Sequence, residues 1–346
     1  MNMATKKWDK SKSKDYEIKD HHQDLTDKIV KMMEESEKTG WTKPWFTSTL
    51  RPYNPVTGTQ YKGINVVSLM TSGFDDPRFL TYKGIQEHSE KTGIPMHLKK
   101  GAKGTPVFKA MHVMFKEKGQ EDTPDQPAAP GASGGYWKQI CAGYVFNASQ
   151  IEGMEPLVVR ENKVEPHAEV ELLTAALMAR TDLKVKHSEE GRAYYSPSQH
   201  MVHMPNKELF KSSAGYYSTL LHEETHATGK SLGRDLSGGF GSESYRKEEL
   251  VAELGSHFLG SELGVPYDSS AHENNAQYLK GWLGMIKEDK HLIFWAAGKG
   301  SKATEFNLEH LQEYKLQIEQ QKEFILDKIQ KTQKEPEQKK TLVMSM

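Results

Sequence analysis

Apolar residues in this chain fall into stretches with helical spacing, separated by a few short runs that alternate. Leu25, Ile29, Met32 and Met33 share one helical face, and Gly40 follows as a stop. Asn54 to Gly58 reads as a tight turn. Residues 64–70 suit either a strand or a helix. Residues 80–82 suit a strand end, and 83–92 a helix closed by Gly93. A basic glycine loop at 99–104 leads into a strand at 107–115. A second strand at 137–146 follows residues 117–135, a Gly-, Pro- and acid-rich segment without an apolar anchor. Strands on both sides make that segment a flexible hairpin insertion and not a domain boundary.

The second half opens on an Ala- and Leu-rich helix at 168–181. Short strands at 184–187, 193–195 and 201–204 precede helices at 213–230, 245–263 and 271–290. A last, charged helix at 304–331 carries Leu308, Leu311, Ile318, Ile325 and Ile329. Helices around a few strands, without βαβ alternation, predict an α+β fold. The chain divides into a disordered basic arm at 1–20, a mixed α/β domain at 21–155, a mainly helical domain at 165–300, and a C-terminal helix and tail at 304–346.

Composition narrows the function classes. With 346 residues, two domains are expected, and six Trp, fourteen Tyr and twelve Phe can build their cores. No apolar run approaches the ~20 residues that span a bilayer. The basic N-terminus lacks the apolar stretch of a signal peptide, so the expectation is a cytoplasmic protein that does not meet a membrane. A single cysteine, Cys141, excludes an internal disulfide and a zinc site built on several thiolates. Residues 1–150 carry 22 Lys+Arg against 17 Asp+Glu, and the remainder 24 against 30. A polyanion would therefore meet the first half.

The densest chemistry is His222-Glu223-Glu224-Thr225-His226. On a helix, histidines at i and i+4 lie on one face and can reach one ion, while Glu223 can take a proton from a water beside it. Catalytic zinc takes three protein ligands and leaves one position open. The helix of Lys247 to Leu254 offers the third: Glu249 as ligand, with Glu253 one turn on, able to hold a ligand imidazole in one tautomer. Glu248 would pair with Ala252, which favours Glu249. The chemistry of such a set is metal-assisted hydrolysis with Glu223 as base and then acid. His257, Tyr267 and Tyr278 are nearby polar residues with packing as their simpler role. His200 and His203 flank a strand expected at a sheet edge and carry no assigned role.

In the first half, Trp41, Trp45, Tyr53 and Tyr61 are interleaved with Lys43, Arg51, Lys62 and Arg78, ahead of the Lys99, Lys100 and Lys103 loop. Rings that stack on bases and cations that follow a backbone are the two ingredients of single-strand binding. A hydrophobic core would use the same aromatics.

The runs GWTKPWF, PYNPVTGTQYKGINVVSL, GFDDPRFLTYKGIQE, LKKGAKGTPVFK and YVFNASQIEG resemble the N-terminal domain of ArdC-type antirestriction proteins. LHEETHATGKSLGRDL, FGSESYRKEELVAELGSHFLGSELG and AQYLKGWLGMIKEDKHLIFWAA resemble the metallopeptidase domain joined to it in that family. The resemblance covers roughly residues 20–300. It implies a single-stranded DNA-binding domain followed by a zincin-like domain holding Zn2+, carriage on a plasmid or phage, and protection of incoming DNA from restriction in the host cytoplasm. It implies His222, His226 and Glu249 as ligands and Glu223 as base. The 117–135 segment and the helix beyond 304 are additional to the family core. Two other readings remain: a zinc peptidase cleaving a host protein, and a DNA-coating or virion-packaged protein with structural zinc.

Overall fold

The computed structural model describes residues 20–38, 50–114, 135–157, 166–266 and 275–343. The basic arm up to residue 19, Trp41, Lys43, Trp45 and positions 117–134 of the insertion lie outside them.

Helix α1 (His21–Lys38) buries Leu25, Ile29 and Met33, the face its spacing predicts. The Asp20 side chain accepts from the His22 and Gln23 N–H groups at 3.1 Å each and starts the helix. Residues 64–70 resolve as helix α2 (Ile64–Met70). Val66, Val67, Leu69 and Met70 point to every side of it and are all buried, as in a helix enclosed by core. Strand β1 (Phe79–Leu80) runs into α3 (Tyr82–Thr92), which Thr81 caps through Gly84 N–H and Gly93 closes at φ 71°. Strands β2 (His97–Leu98), β3 (Thr105–Met114), β4 (Gly135–Asn147) and β5 (Ile151–Glu152) follow. β1, β4 and β3 form one antiparallel sheet in that order, and β2 pairs with β5.

The second half runs α4 (Pro166–Thr181), β6 (Lys184–Ser188), β7 (Tyr194–Ser196), β8 (Met201–Pro205), α5 (Ser213–Ser231), α6 (Glu243–Leu263), α7 (Asn275–Glu288) and α8 (Leu292–Val343). Its sheet has the order β6-β8-β7, parallel on one side and antiparallel on the other. The strand beside His200 and His203 is thus central, and the expectation of an edge strand there is overturned. Val202 and Met204 are fully buried beneath the helices, as a central strand requires. The last helix also starts at Leu292 and not at 304. Gly298 and Gly300 argue against a helix locally, but packing overrides propensity at this point.

That packing is close. A Cβ built on Gly300 would stand 2.9 Å from Gly255 N, and one on Gly255 would stand 2.7 Å from Thr225 Cγ2. Only glycine lets α6 and α8 meet backbone to backbone with the Thr225 side chain of α5 packed on the same glycine. Thr304 Oγ1 donates toward the Gly255 and Gly300 carbonyls at 3.1 and 3.0 Å. α6 also joins the two main apolar clusters. Leu250, Val251, Leu254 and Phe258 pack with α1, α2, α7 and α8, while Leu259 and Leu263 pack with α4, α5 and the β6-β8-β7 sheet. Among the described residues, no helix is long and apolar enough to cross a membrane.

One acid is sealed in this core. Glu224 has no exposure, and its Oε1 lies 2.6 Å from Thr174 Oγ1, which also reaches the Val170 carbonyl at 3.0 Å. Burial pushes its pKa up to about 8, against a weaker pull from the Thr174 hydrogen bond. The folded chain then stays protonated here while the unfolded chain ionises above pH 4.5, so stability falls as pH rises from about 4.5 to 8. Glu224→Gln should gain on the wild type across that window by on the order of a few kcal/mol, read by urea unfolding at pH 5 and pH 8. A constant difference would show that Glu224 is ionised in the fold. Gly300→Ala should cost about 1–3 kcal/mol in the same assay, because backbone atoms meet the new methyl and cannot swing aside; an unchanged midpoint would refute the close approach.

Candidate metal centre

Helix α5 starts where the Ser212 side chain accepts from the Gly215 N–H at 2.9 Å, and α6 where Ser242 accepts from Tyr245 N–H at 3.2 Å. Both helices are buried along much of their length, so their polar faces must satisfy each other. His222 and His226 lie one turn apart on α5 and face Glu249 on α6. One ligand-type atom from each of these three residues lies within 4.8 Å of the others. The two Nε2 atoms stand 3.2 Å apart, Glu249 Oε2 is 3.4 Å from His222 Nε2, and Glu249 Oε1 is 3.5 Å from His226 Nε2. His222 and Glu249 are buried and His226 nearly so.

The outer sides of the imidazoles are held differently. Glu253 Oε2 lies 3.9 Å from His222 Nδ1. His226 Nδ1 is 3.1 Å from Glu248 Oε1. Glu248 is gripped in turn by Arg234, whose Nε and Nη2 donate to its carboxylate at 3.0 Å, while Nη2 also donates to Thr225 O at 2.6 Å and Nη1 to Thr228 Oγ1 at 2.8 Å. Sequence reasoning set Glu248 aside and missed Arg234. The spacing test asked for an acid one turn later on α6, whereas the partner of Glu248 comes from the loop after α5.

Electrostatics follow from this crowding. Burial disfavours a charged His226, but Glu249 and Glu248 outweigh it and lift its pKa to about 10. Burial would raise Glu249, yet His226 and His222 hold it well below the usual carboxylate range. Glu248 is also lowered against its burial, by His226 and Arg234. Glu223 behaves oppositely. Its carboxyl is pushed up by burial, with His222, His226 and the Tyr195 backbone N–H opposing the rise and Glu249 adding to it. A carboxyl with a raised pKa between two histidines suits proton exchange.

The other residues singled out by sequence lie elsewhere. His200 Nε2 donates to Thr181 O at 2.9 Å and its Nδ1 accepts from Tyr195 Oη at 2.7 Å, a buried structural role. His203 stacks on Tyr194 at 4.4 Å. His257 is buried one turn beyond Glu253. Tyr267 and the Tyr278 side chain lie outside the described residues. In the first half, Arg51 is buried, ion-paired with Glu262, and donates to Tyr61 O at 2.7 Å. Arg78 is buried and bound to Asp76 at 2.8 Å and to Glu155 O at 2.9 Å. Tyr53 is half-buried and bridges Gln60 and Arg78. Tyr61 Oη donates to Phe79 O at 3.2 Å, and burial pushes its pKa to about 12. Lys62 reaches Glu305 at 2.7 Å. Lys99, Lys100 and Lys103 stand exposed on the loop between β2 and β3, where Lys99 Nζ donates to Ser149 O.

Known proteins resemble both halves of the chain. Residues 19–137 match the N-terminal domain of the anti-restriction factor ArdC, and residues 173–299 match a zincin-like metallopeptidase domain. Two DNA primases named TraC from Escherichia coli are 36% and 33% identical over 305 residues, 84% of this chain. The chain spans only 27% and 20% of their lengths. The crystal structure of the antirestriction protein ArdC from plasmid R388, with Mn(II) bound, is 34% identical and superposes with a TM-score of 0.61 over 85% of this chain and 98% of that one. Its metal-free form gives 32% identity and a TM-score of 0.62, with 85% and 99% covered. An N-terminal ArdC domain followed by a zincin-like domain, in one α+β chain that covers nearly all of a solved ArdC, establishes that this protein belongs to the ArdC antirestriction family.

Proposed function

We propose that this chain is an antirestriction protein of a plasmid or phage that binds single-stranded DNA with its N-terminal half and carries a zinc peptidase-type site in its C-terminal half. The observation that carries the reading is the convergence of His222, His226 and Glu249 within 4.8 Å beside the buried Glu223. Two imidazole nitrogens and a carboxylate, the three ligand-type groups that converge among the described residues, fit the donor set of a catalytic zinc. The facing Nε2 atoms at 3.2 Å suit a cation shared between them. Bound zinc would supply Lewis-acid chemistry, acidifying a water and polarising a carbonyl.

The chain's own residues do the rest. Glu248, fixed by Arg234, accepts from His226 Nδ1 and so leaves Nε2 as the nitrogen that faces His222 Nε2 and Glu249. Glu223 accepts a proton from a water and returns it to a leaving amine. Strand β7 lies at a sheet edge, and the Tyr195 N–H on it reaches Glu223, so an extended peptide from a host protein could align there by strand addition. Likeness to segments of two primases supports a working life on DNA.

Purified protein should contain one zinc per chain by elemental analysis. His222→Ala, His226→Ala and Glu249→Ala should each lose it. Glu223→Gln should keep the zinc and single-stranded DNA affinity while losing any peptidase activity. Zinc retained by Glu249→Ala but lost by Glu253→Ala would reverse the ligand assignment. Glu223→Gln that loses protection from restriction at unchanged DNA affinity would make cleavage of a host protein the antirestriction step.

A further inference from the structure

Away from the metal centre, an open cleft of about 710 Å3 lies between the β3–β4 ribbon and the start of α8. Strand alternation sends Phe108 and Ala110 of β3 and Trp137, Gln139 and Cys141 of β4 to one face. The inner end of that face, at Phe108 and Cys141, packs into the core shared with α6 and α8. Its outer end does not: Trp137 is 71% exposed, with its ring 5.0 Å from that of His112. Opposite, Trp295, Lys299 and Lys302 follow one face of α8 at i, i+4 and i+7, and Trp295 is 43% exposed. Lys138 joins the lining, which contains no acidic side chain. Among the described residues, none of these three lysines forms an ion pair.

Two indole rings in water beside three such ammonium groups call for a ligand with flat apolar faces and negative charge. We propose that this cleft is a single-stranded DNA site in which Trp137 and Trp295 stack on bases and Lys138, Lys299 and Lys302 follow the phosphates. Its volume lies within the roughly 300–1,000 Å3 that holds small organic ligands, room for about one or two nucleotides. Duplex DNA keeps its base faces stacked inside and cannot offer them to the indoles. The assignment rests on the DNA-binding reading above and gives it a location beyond the Lys99 to Lys103 loop. The site lies where the two halves of the sequence meet, so it needs the whole chain.

The test is a titration of the full-length protein, at several salt concentrations, with oligothymidylate of about 16 nucleotides and with a duplex of equal length. Trp137→Ala and Trp295→Ala should each weaken single-strand binding by about 5- to 150-fold, and Trp295→Phe should restore part of the loss. Changing Lys138, Lys299 and Lys302 together to Gln should lower the slope of log K on log salt by about 2. Trp137 is too exposed for its truncation to unfold the chain, and a melting curve checks Trp295→Ala. Wild-type binding left unchanged in affinity and slope by all these variants would overturn the cleft and leave the DNA reading intact. The same holds if only the Lys99, Lys100 and Lys103 to Gln variant weakens binding. A wild type that prefers duplex, or binds neither, would overturn the DNA reading itself, and the cleft with it.

Discussion

Backbone contact between Gly255 of α6 and Gly300 of α8 constrains most of what surrounds it. With α8 pressed against one side of α6, Thr225 of α5 packs against the same glycine, and the three helices are fixed to within a methyl group. This sets the distance from Glu249 to the two histidines on α5. It also carries α8 on past the site to meet α2 and the β3–β4 ribbon through one continuous apolar cluster. The two halves of the sequence therefore share a core and do not merely adjoin. A change at this contact would be felt both at the candidate metal ligands and at the cleft.

The centre between α5 and α6 is acid-rich for so buried a place. Glu223, Glu248, Glu249 and Glu253 gather around two imidazoles and one guanidinium. Removing charges from water is costly unless each finds a partner. Arg234 answers Glu248 fully, and His226 is drawn toward its charged form by the rest. In the proposed reading a divalent cation sits among these charges, and acids that are costly to bury alone become the source of its affinity. The raised Glu223 carboxyl belongs to the same balance, since its burial outweighs the pull of His222 and His226.

Much of this was legible in the sequence. The i, i+4 histidines and the glutamate pair of α6 are read from helical geometry, which holds wherever a helix is certain. Helices α1, α5 and α6 announce themselves by the spacing of their apolar residues. Residues 64–70 could not be decided because an all-apolar segment has no period to read. The early turns of α8 were hidden because Gly298 and Gly300 are poor helix formers, and their purpose appears only when α6 lies against them. Arg51 and Arg78 read as surface cations, yet Glu262, 211 residues away in sequence, closes over Arg51. Trp295 passed unnoticed for the same reason as α8, and Trp137 because a strand tryptophan reads as core. Local period is visible in a sequence; which long-range partner satisfies a charge or leaves a ring bare is not.

The peptidase-type centre is thus built on α5 and α6 and the cleft on α8 and the β3–β4 ribbon, with the α6–α8 contact joining the two. The central claim is that His222, His226 and Glu249 form one metal site. The most direct measurement is anomalous diffraction from crystals of the full chain grown with zinc, recorded at the zinc edge. The account predicts one strong peak about 2.0–2.2 Å from His222 Nε2, His226 Nε2 and a Glu249 oxygen. A map with no peak among these atoms, or with its peak on other residues, would contradict it.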